Sequence, residues 1–267
     1  MVPMLYGPAA WEREVPRHGP VGTVAVVSDV HTNVAALTAV LADIEREAPD
    51  LVVSCGDLTW GSQPDETIAL MRAFGDRALF VRGNGERAVL EIGAGTREAE
   101  SPRERWVPAR HSADSVAFVA TIPFSLVIDI TGLGPVRFCH GSPRGDTEIV
   151  TPGTPQERFG ELSAGIGEQV LVTGHTHIQF DREVAGRRSV NPGSVGLPYH
   201  LGEPGTAYWA LLGPDVSLRQ TRYDVTPAIA IGDQLGDPGS DRIRDLLLSP
   251  PTPAWMTEDG ERRVFSD

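Results

Sequence analysis

Cysteine is nearly absent: Cys55 and Cys139 are the only two in 267 residues, and no C-x-x-C spacing occurs. Each lies inside an apolar run, which suits a buried free thiol and excludes a disulfide framework. Long apolar runs are also lacking, and none approaches the roughly 18 residues that a membrane span needs. The first twenty residues hold four prolines and mixed charge without an apolar segment, so they do not read as a signal peptide. The expected location is cytoplasmic. Basic charge is scarce, with 23 Lys and Arg against 36 Asp and Glu and a formal net charge of −13. Such a surface repels a phosphate backbone, which argues against extended nucleic acid as a partner and against a nuclease. A small phosphate ester stays compatible if bound cations reverse the sign inside one pocket. Oligomeric state is not legible.

What is present is ordinary globular composition, 40% hydrophobic and 22% charged, in a chain long enough for one large core. Residues 1–20 read as an arm, 21–249 as one domain and 250–267 as a Pro-rich, frayed tail. Apolar runs at Thr23–Ser28, Leu51–Ser54 and Ala78–Val81 predict buried strands. Between them, Asn33 caps a predicted helix to Glu47, and Pro64 opens another to Phe74. This alternation implies a parallel sheet with helices on its faces. Residues 93–108 read as surface loop and His111–Ala120 as a helix. Strands are predicted at Ser125–Ile130, Val136–Cys139 and Gln169–Thr173, with a helix at Gln156–Ile166 before the last. Runs within 178–223 predict a second, mostly antiparallel sheet, followed by helices at Thr226–Leu235 and Ser240–Leu248. One α/β domain built on two packed sheets fits best.

The polar residues fall in a pattern. Asp29 and His31 follow the first strand, Asp57 the second and Asn84 the third. His140 follows a later strand, and His175 and His177 another. Ligands of open α/β sheets bind outside the carboxyl ends of the strands, so all seven side chains are expected at one end of one sheet. Two Asp, one Asn and four His form a mixed oxygen and nitrogen donor set suited to Mn²⁺, Fe or Zn²⁺. Seven donors exceed one tetrahedral ion and match two ions about 3.5–4 Å apart that share a carboxylate.

These elements, Asp29-Val30-His31, Gly56-Asp57, Gly83-Asn84, His140-Gly141 and Gly174-His175-Thr176-His177, together with Asn191-Pro192-Gly193-Ser194, resemble the calcineurin-like metallophosphoesterase superfamily. The likeness runs from about Val21 to Leu248 and is nearest the small bacterial and archaeal phosphodiesterase branch. It implies a four-layer αββα sandwich of two packed mixed β-sheets flanked by helices. It implies two divalent metal ions, Mn²⁺ first and Fe, Zn²⁺ or Ni²⁺ open. Asp29, His31 and His177 would hold one ion, Asn84, His140 and His175 the other, and Asp57 would bridge them. A hydroxide between the ions would attack phosphorus, with Asn84 also reaching a phosphate oxygen. Asp57 and Asn84 are thus the expected catalytic residues.

The sequence departs from the pattern at one place. Many relatives carry His after the Gly-Asn pair, where it serves the leaving group, and this chain has Gly85 followed by Glu86. Without a proton donor there, an aryl oxide leaves more readily than an alkoxide. Glu86 is expected to brace a neighbouring ligand. Arg144 is a candidate phosphate clamp, with an ion pair to Asp146 or Glu148 as its competing role. Tyr199 and His200 are candidates for the pocket mouth, His200 as a replacement acid. The expected function is a phosphodiesterase acting on a small phosphate ester. The alternative is a metal-binding regulatory or scaffold protein with weak or lost catalysis, and Gly85 is what favours it.

Overall fold

The computed structural model describes residues 15–264. It opens with strand β1 (Arg17–Val21), so the end of the expected arm pairs as an edge strand, while residues 1–14 lie outside the described residues. Three parallel strands follow, β2 (Val24–Val27), β3 (Leu51–Cys55) and β4 (Ala78–Val81). Helix α1 (Val34–Glu47) joins the first two, and Asn33 caps it by accepting from the Ala36 amide at 3.0 Å. Its buried Leu37, Val40, Leu41 and Ile44 recur at helical spacing and form the stripe that faces the sheet. Helix α2 (Pro64–Arg72) begins on the expected proline.

Helix α3 (Asn84–Gly93) was not foreseen, and helix α4 (Pro102–Trp106) lies inside the stretch read as loop. The start signal of α4 is nonetheless local. The Ser101 hydroxyl accepts from the Glu104 amide at 3.1 Å, and Pro102 occupies the first turn. Next come α5 (Ala113–Val119), β5 (Ser125–Ile130), β6 (Gly134–Cys139) and α6 (Gln156–Leu162). Strands β7 (Val170–Val172), β8 (Gln179–Val184), β9 (Arg187–Pro192), β10 (Thr206–Leu212) and β11 (Val216–Arg222) complete the sheets. Helices α7 (Thr226–Leu235), α8 (Ser240–Leu248) and α9 (Pro253–Val264) end the described chain.

The strands form two mixed sheets, ordered β11-β10-β2-β3-β4 and β1-β5-β6-β7-β9-β8. The runs within 178–223 therefore do not build the sheet of their own that the sequence suggested, but divide between the two. The hairpin β8–β9 adds to β7, whereas β10 pairs antiparallel with β2 through Ala210 opposite Val26. Hairpin β8–β9 thus extends the sheet of its sequence neighbour β7, while β10 pairs with a strand remote in sequence, a choice that periodicity alone does not make.

One apolar layer lies between the sheets, where Val24, Val26 and Val53 meet Ile128, Phe138 and Val172. A second packs Ala25, Val27 and Val52 under α1 and α2. A third sets Leu171 and Phe180 beneath Phe159, Leu162 and Met256. Four layers result. Cys55 and Cys139 are buried free thiols, and burial pushes Cys139 up to about 12. The stretch expected to fray instead forms α9, whose Glu261 accepts from the Thr151 and Thr154 hydroxyls at 2.6 Å each. Residues 265–267 lie outside the described residues. No described helix is long and apolar enough to cross a membrane.

Candidate metal centre

The carboxyl ends of β2, β3 and β4 open at one edge of the first sheet. They deliver Asp29, His31, Asp57 and Asn84. The ends of β6 and β7, parallel in the second sheet, deliver His140, His175 and His177. The predicted donors thus come from both sheets rather than one. The loops are stitched where they meet: the His31 amide donates to Asp57 O at 2.9 Å, and the Gly174 amide to His140 O at 2.8 Å. A Cβ on Gly174 would collide with Ser28 Oγ, and one on Gly56 with the His140 ring, so the two sheet ends close up only because both positions are glycine.

The backbone here is strained. Asp29, His31, Asp57, His175 and His177 all have positive φ, between 47° and 66°. Few non-glycine residues adopt that region, and those that do cluster at functional sites. Hydrogen bonds hold the strained turns. Glu86, fully buried, accepts from the Asp57 and Gly83 amides at 2.9 and 2.8 Å and from the Thr59 amide at 2.9 Å. It therefore braces the Asp57 turn and does not point at a substrate. Asn191 donates to Gly174 O at 2.7 Å, and the Ser194 hydroxyl to Asp29 O at 2.7 Å.

The imidazoles are oriented alike. Nδ1 of His31, His140 and His177 faces the carbonyl of Trp60, Cys55 and Leu197 at 3.4, 3.0 and 2.7 Å. A carbonyl requires the proton on Nδ1, which leaves the Nε2 lone pairs aimed inward. They converge: His31 Nε2 lies 3.1 Å from His177 Nε2, and His140 Nε2 lies 3.0 Å from Asn84 Oδ1. Asp57 turns Oδ2 toward His31 Nε2 at 3.8 Å and Oδ1 toward His140 Nε2 at 3.5 Å. Two compact donor groups result, Asp29 with His31 and His177, and Asp29 with Asp57 and His140. The His175 ring stands 5.0 Å from that of His140.

The donors fit divalent cations. Asp29 Oδ2 is engaged by the Ser28 hydroxyl and the His175 amide at 2.6 and 3.0 Å, but buried Oδ1 faces imidazoles, His177 Nε2 at 3.3 Å and His31 and His140 Nε2 at 4.0 Å each. A buried carboxylate oxygen ringed by imidazole lone pairs calls for positive charge. The titration behaviour agrees. Burial opposes the charge on His140, yet Asp57 and Asp29 outweigh it and lift the group to about 9. Burial likewise opposes His177, and Asp29 raises it. Burial, reinforced by the charge of His177, takes His31 down to about 3, and burial with His140 does the same to His175. Burial lifts Asp57 to about 7 against the pull of His140. The buried carboxylates thus draw positive charge toward the imidazoles around them, the charge that a bound cation would bring instead.

Other expected residues are placed differently. Arg144 pairs with Glu148, its Nε donating to Oε1 at 3.1 Å, and does not line the cavity over the donors. His200 accepts from the Gly202 amide at 2.9 Å, lies against Tyr208 and is likewise away from that cavity. Tyr199 does reach the cavity, stacked on His177 at 5.4 Å. At Gly85 a Cβ would stand 2.8 Å from both Asp57 Oδ1 and Trp60 Cβ. The position is closed by Trp60, which with Arg103, Leu197, Arg242, Ile243 and Leu246 forms wall that the sequence reading missed.

Two mixed sheets face to face, with a nitrogen and oxygen donor cluster across their carboxyl ends, define a metal-binding phosphoesterase class. The chain belongs to the calcineurin-like phosphoesterase superfamily, whose domain profile matches residues 23–211. It is 28% identical over 195 residues to the uncharacterized protein MJ0912 of Methanocaldococcus jannaschii, covering 66% of this chain and 76% of that one. Its fold is similar to that of hypothetical protein PH1004 from Pyrococcus horikoshii OT3, with a TM-score of 0.72 at 18% identity over 86% of this chain and 99% of that one. It is also similar to a metallophosphoesterase from Sphaerobacter thermophilus, with a TM-score of 0.65 at 23% identity over 84% and 99% of the two chains.

Proposed function

We propose that the protein is a dinuclear metal-dependent phosphodiesterase acting on a small phosphate ester. The observation that carries this reading is the Asp57 carboxylate, whose two oxygens face separate imidazole groups. Asp29, His31 and His177 would hold one ion, Asn84, His140 and His175 the other, and Asp57 would reach both. Mn²⁺ is the first candidate for this donor set. When bound, two divalent ions lower the pKa of water and neutralise phosphoryl oxygens. The chain's own part is to fix these donors through the carbonyls behind each Nδ1 and through Glu86 behind Asp57. Asn84 Nδ2 offers a hydrogen bond to a phosphate oxygen.

The cavity over the donors measures about 280 Å³. That is near the lower bound of about 300 Å³ for small-molecule sites, which favours a compact ester. With Gly85 and Trp60 where an acid would stand, the leaving group departs with little help, so activated esters are favoured. The same feature sustains the second reading, a metal-binding scaffold with weak catalysis. Hydrolysis of bis-p-nitrophenyl phosphate by metal-stripped protein, with and without Mn²⁺, separates the two. Metal-dependent turnover that falls at least about 100-fold in Asp57→Asn supports the enzyme. Two bound ions by calorimetry without turnover of the diester or the matching monoester would favour the scaffold.

A further inference from the structure

Every one of the 23 basic residues in this chain is arginine, and lysine does not occur. Histidine apart, any side-chain cation that the protein brings to a phosphate is therefore a guanidinium, able to offer two edges at once. Two line the cavity over the donors, Arg103 from α4 and Arg242 from α8. Arg242 is exposed at the rim, whereas Arg103 is built in. Its Nε and Nη2 donate to Asp237 Oδ1 and Oδ2 at 2.9 and 3.2 Å. The Asp237 side chain is fully buried and takes two further donors, the Ser62 hydroxyl at 3.0 Å and the Gly239 amide at 2.8 Å. Gly239 leaves room for this pair: a Cβ there would strike the Arg103 side chain and displace it. Arg103 Nη1 makes no hydrogen bond among the described residues.

We propose that Arg103 is a phosphate-binding residue, with its Nε–Nη2 edge locked on Asp237 and Nη1 donating to a non-bridging oxygen of the ester. This rests on the phosphoesterase reading of the same cavity. Asp237 and Gly239 lie beyond residue 211, where the match to the family domain ends. The turn between α7 and α8 thus lies outside the matched domain and, on this reading, completes the substrate pocket. A guanidinium held on one edge by a saturated, buried carboxylate is pre-organised, so little freedom is lost when the other edge meets phosphate. Asp237 acts through Arg103 and is a positioning residue.

The test uses the full chain loaded with Mn²⁺ and titrates inorganic phosphate by calorimetry, beside KM and kcat for bis-p-nitrophenyl phosphate. Arg103→Gln is expected to weaken phosphate binding about 10- to 100-fold, the worth of a hydrogen bond to a charged group. Arg103→Lys, which keeps the charge and guards against a folding defect, is expected to lose about tenfold. Asp237→Asn should shift phosphate affinity and KM the same way, with bound Mn²⁺ unchanged in all three. A strut that merely pins α8 predicts lower melting temperatures with phosphate Kd and KM within about twofold of the parent, and that result overturns the proposal. So does a parent protein that binds no phosphate. A parent that binds phosphate but turns over no ester removes the enzyme reading and leaves Arg103 to be judged on the phosphate titration.

Discussion

Gly85 and Glu86 act on Asp57 from two sides. The Gly85 amide donates to Asp57 Oδ1 at 2.7 Å, while Glu86 receives the amides of the turn that carries Asp57. Gly85→Ala forces a methyl against Asp57 and Trp60, and overpacking of this kind costs about 1–3 kcal/mol. Urea unfolding should show that loss, and Mn²⁺ affinity should fall with it. Glu86→Gln turns a donor toward amides that need an acceptor. We expect a loss of about 1–3 kcal/mol in the same assay and Mn²⁺ binding weakened about 10- to 100-fold by calorimetry. An unchanged Mn²⁺ affinity would mean that the turn holds Asp57 without Glu86. At this scale the meeting of the site's side chains was legible because each follows an apolar run that ends in a turn. Trp60 and Arg103 were not, because nothing in the chain places an arginine 46 residues beyond Asp57 in the same cavity.

The elements that flank the site are tied to it by their caps. Asn33 caps α1 and also donates to Gly196 O at 3.1 Å and Tyr223 Oη at 3.0 Å. One side chain therefore joins the His31 loop, the loop before β10 and the end of β11. Asn33→Ala is expected to lower stability by about 1–2 kcal/mol, the upper range for a lost cap. A melting temperature equal to the parent's would show that the other contacts hold α1 alone. The ends of α1, α7 and α8 were legible because caps, prolines and apolar spacing are local. Helix α3 was missed because Gly83-Asn84 reads equally as a turn. The sheet membership of β10 was missed because it depends on β2, some 180 residues earlier.

For the molecule as a whole, the cluster is a local debt of positive charge inside an acidic protein. Supplying it should raise stability: a cation at 100 times its Kd adds about 2.7 kcal/mol per site. Thermal unfolding with Mn²⁺ and after chelation should differ in that direction, and equal curves would argue that the donors bind no ion. The four-layer architecture was legible only through resemblance, since layers arise from contacts between distant strands. Each compact donor group takes members from both sheets, Asp29, His31 and Asp57 from one and His177 and His140 from the other. An ion in either group is then a cross-link through the seam of the sandwich. Sliding of one sheet over the other is resisted in proportion to occupancy, and hydrogen exchange in β2 and β7 should quicken together when the metal is withdrawn.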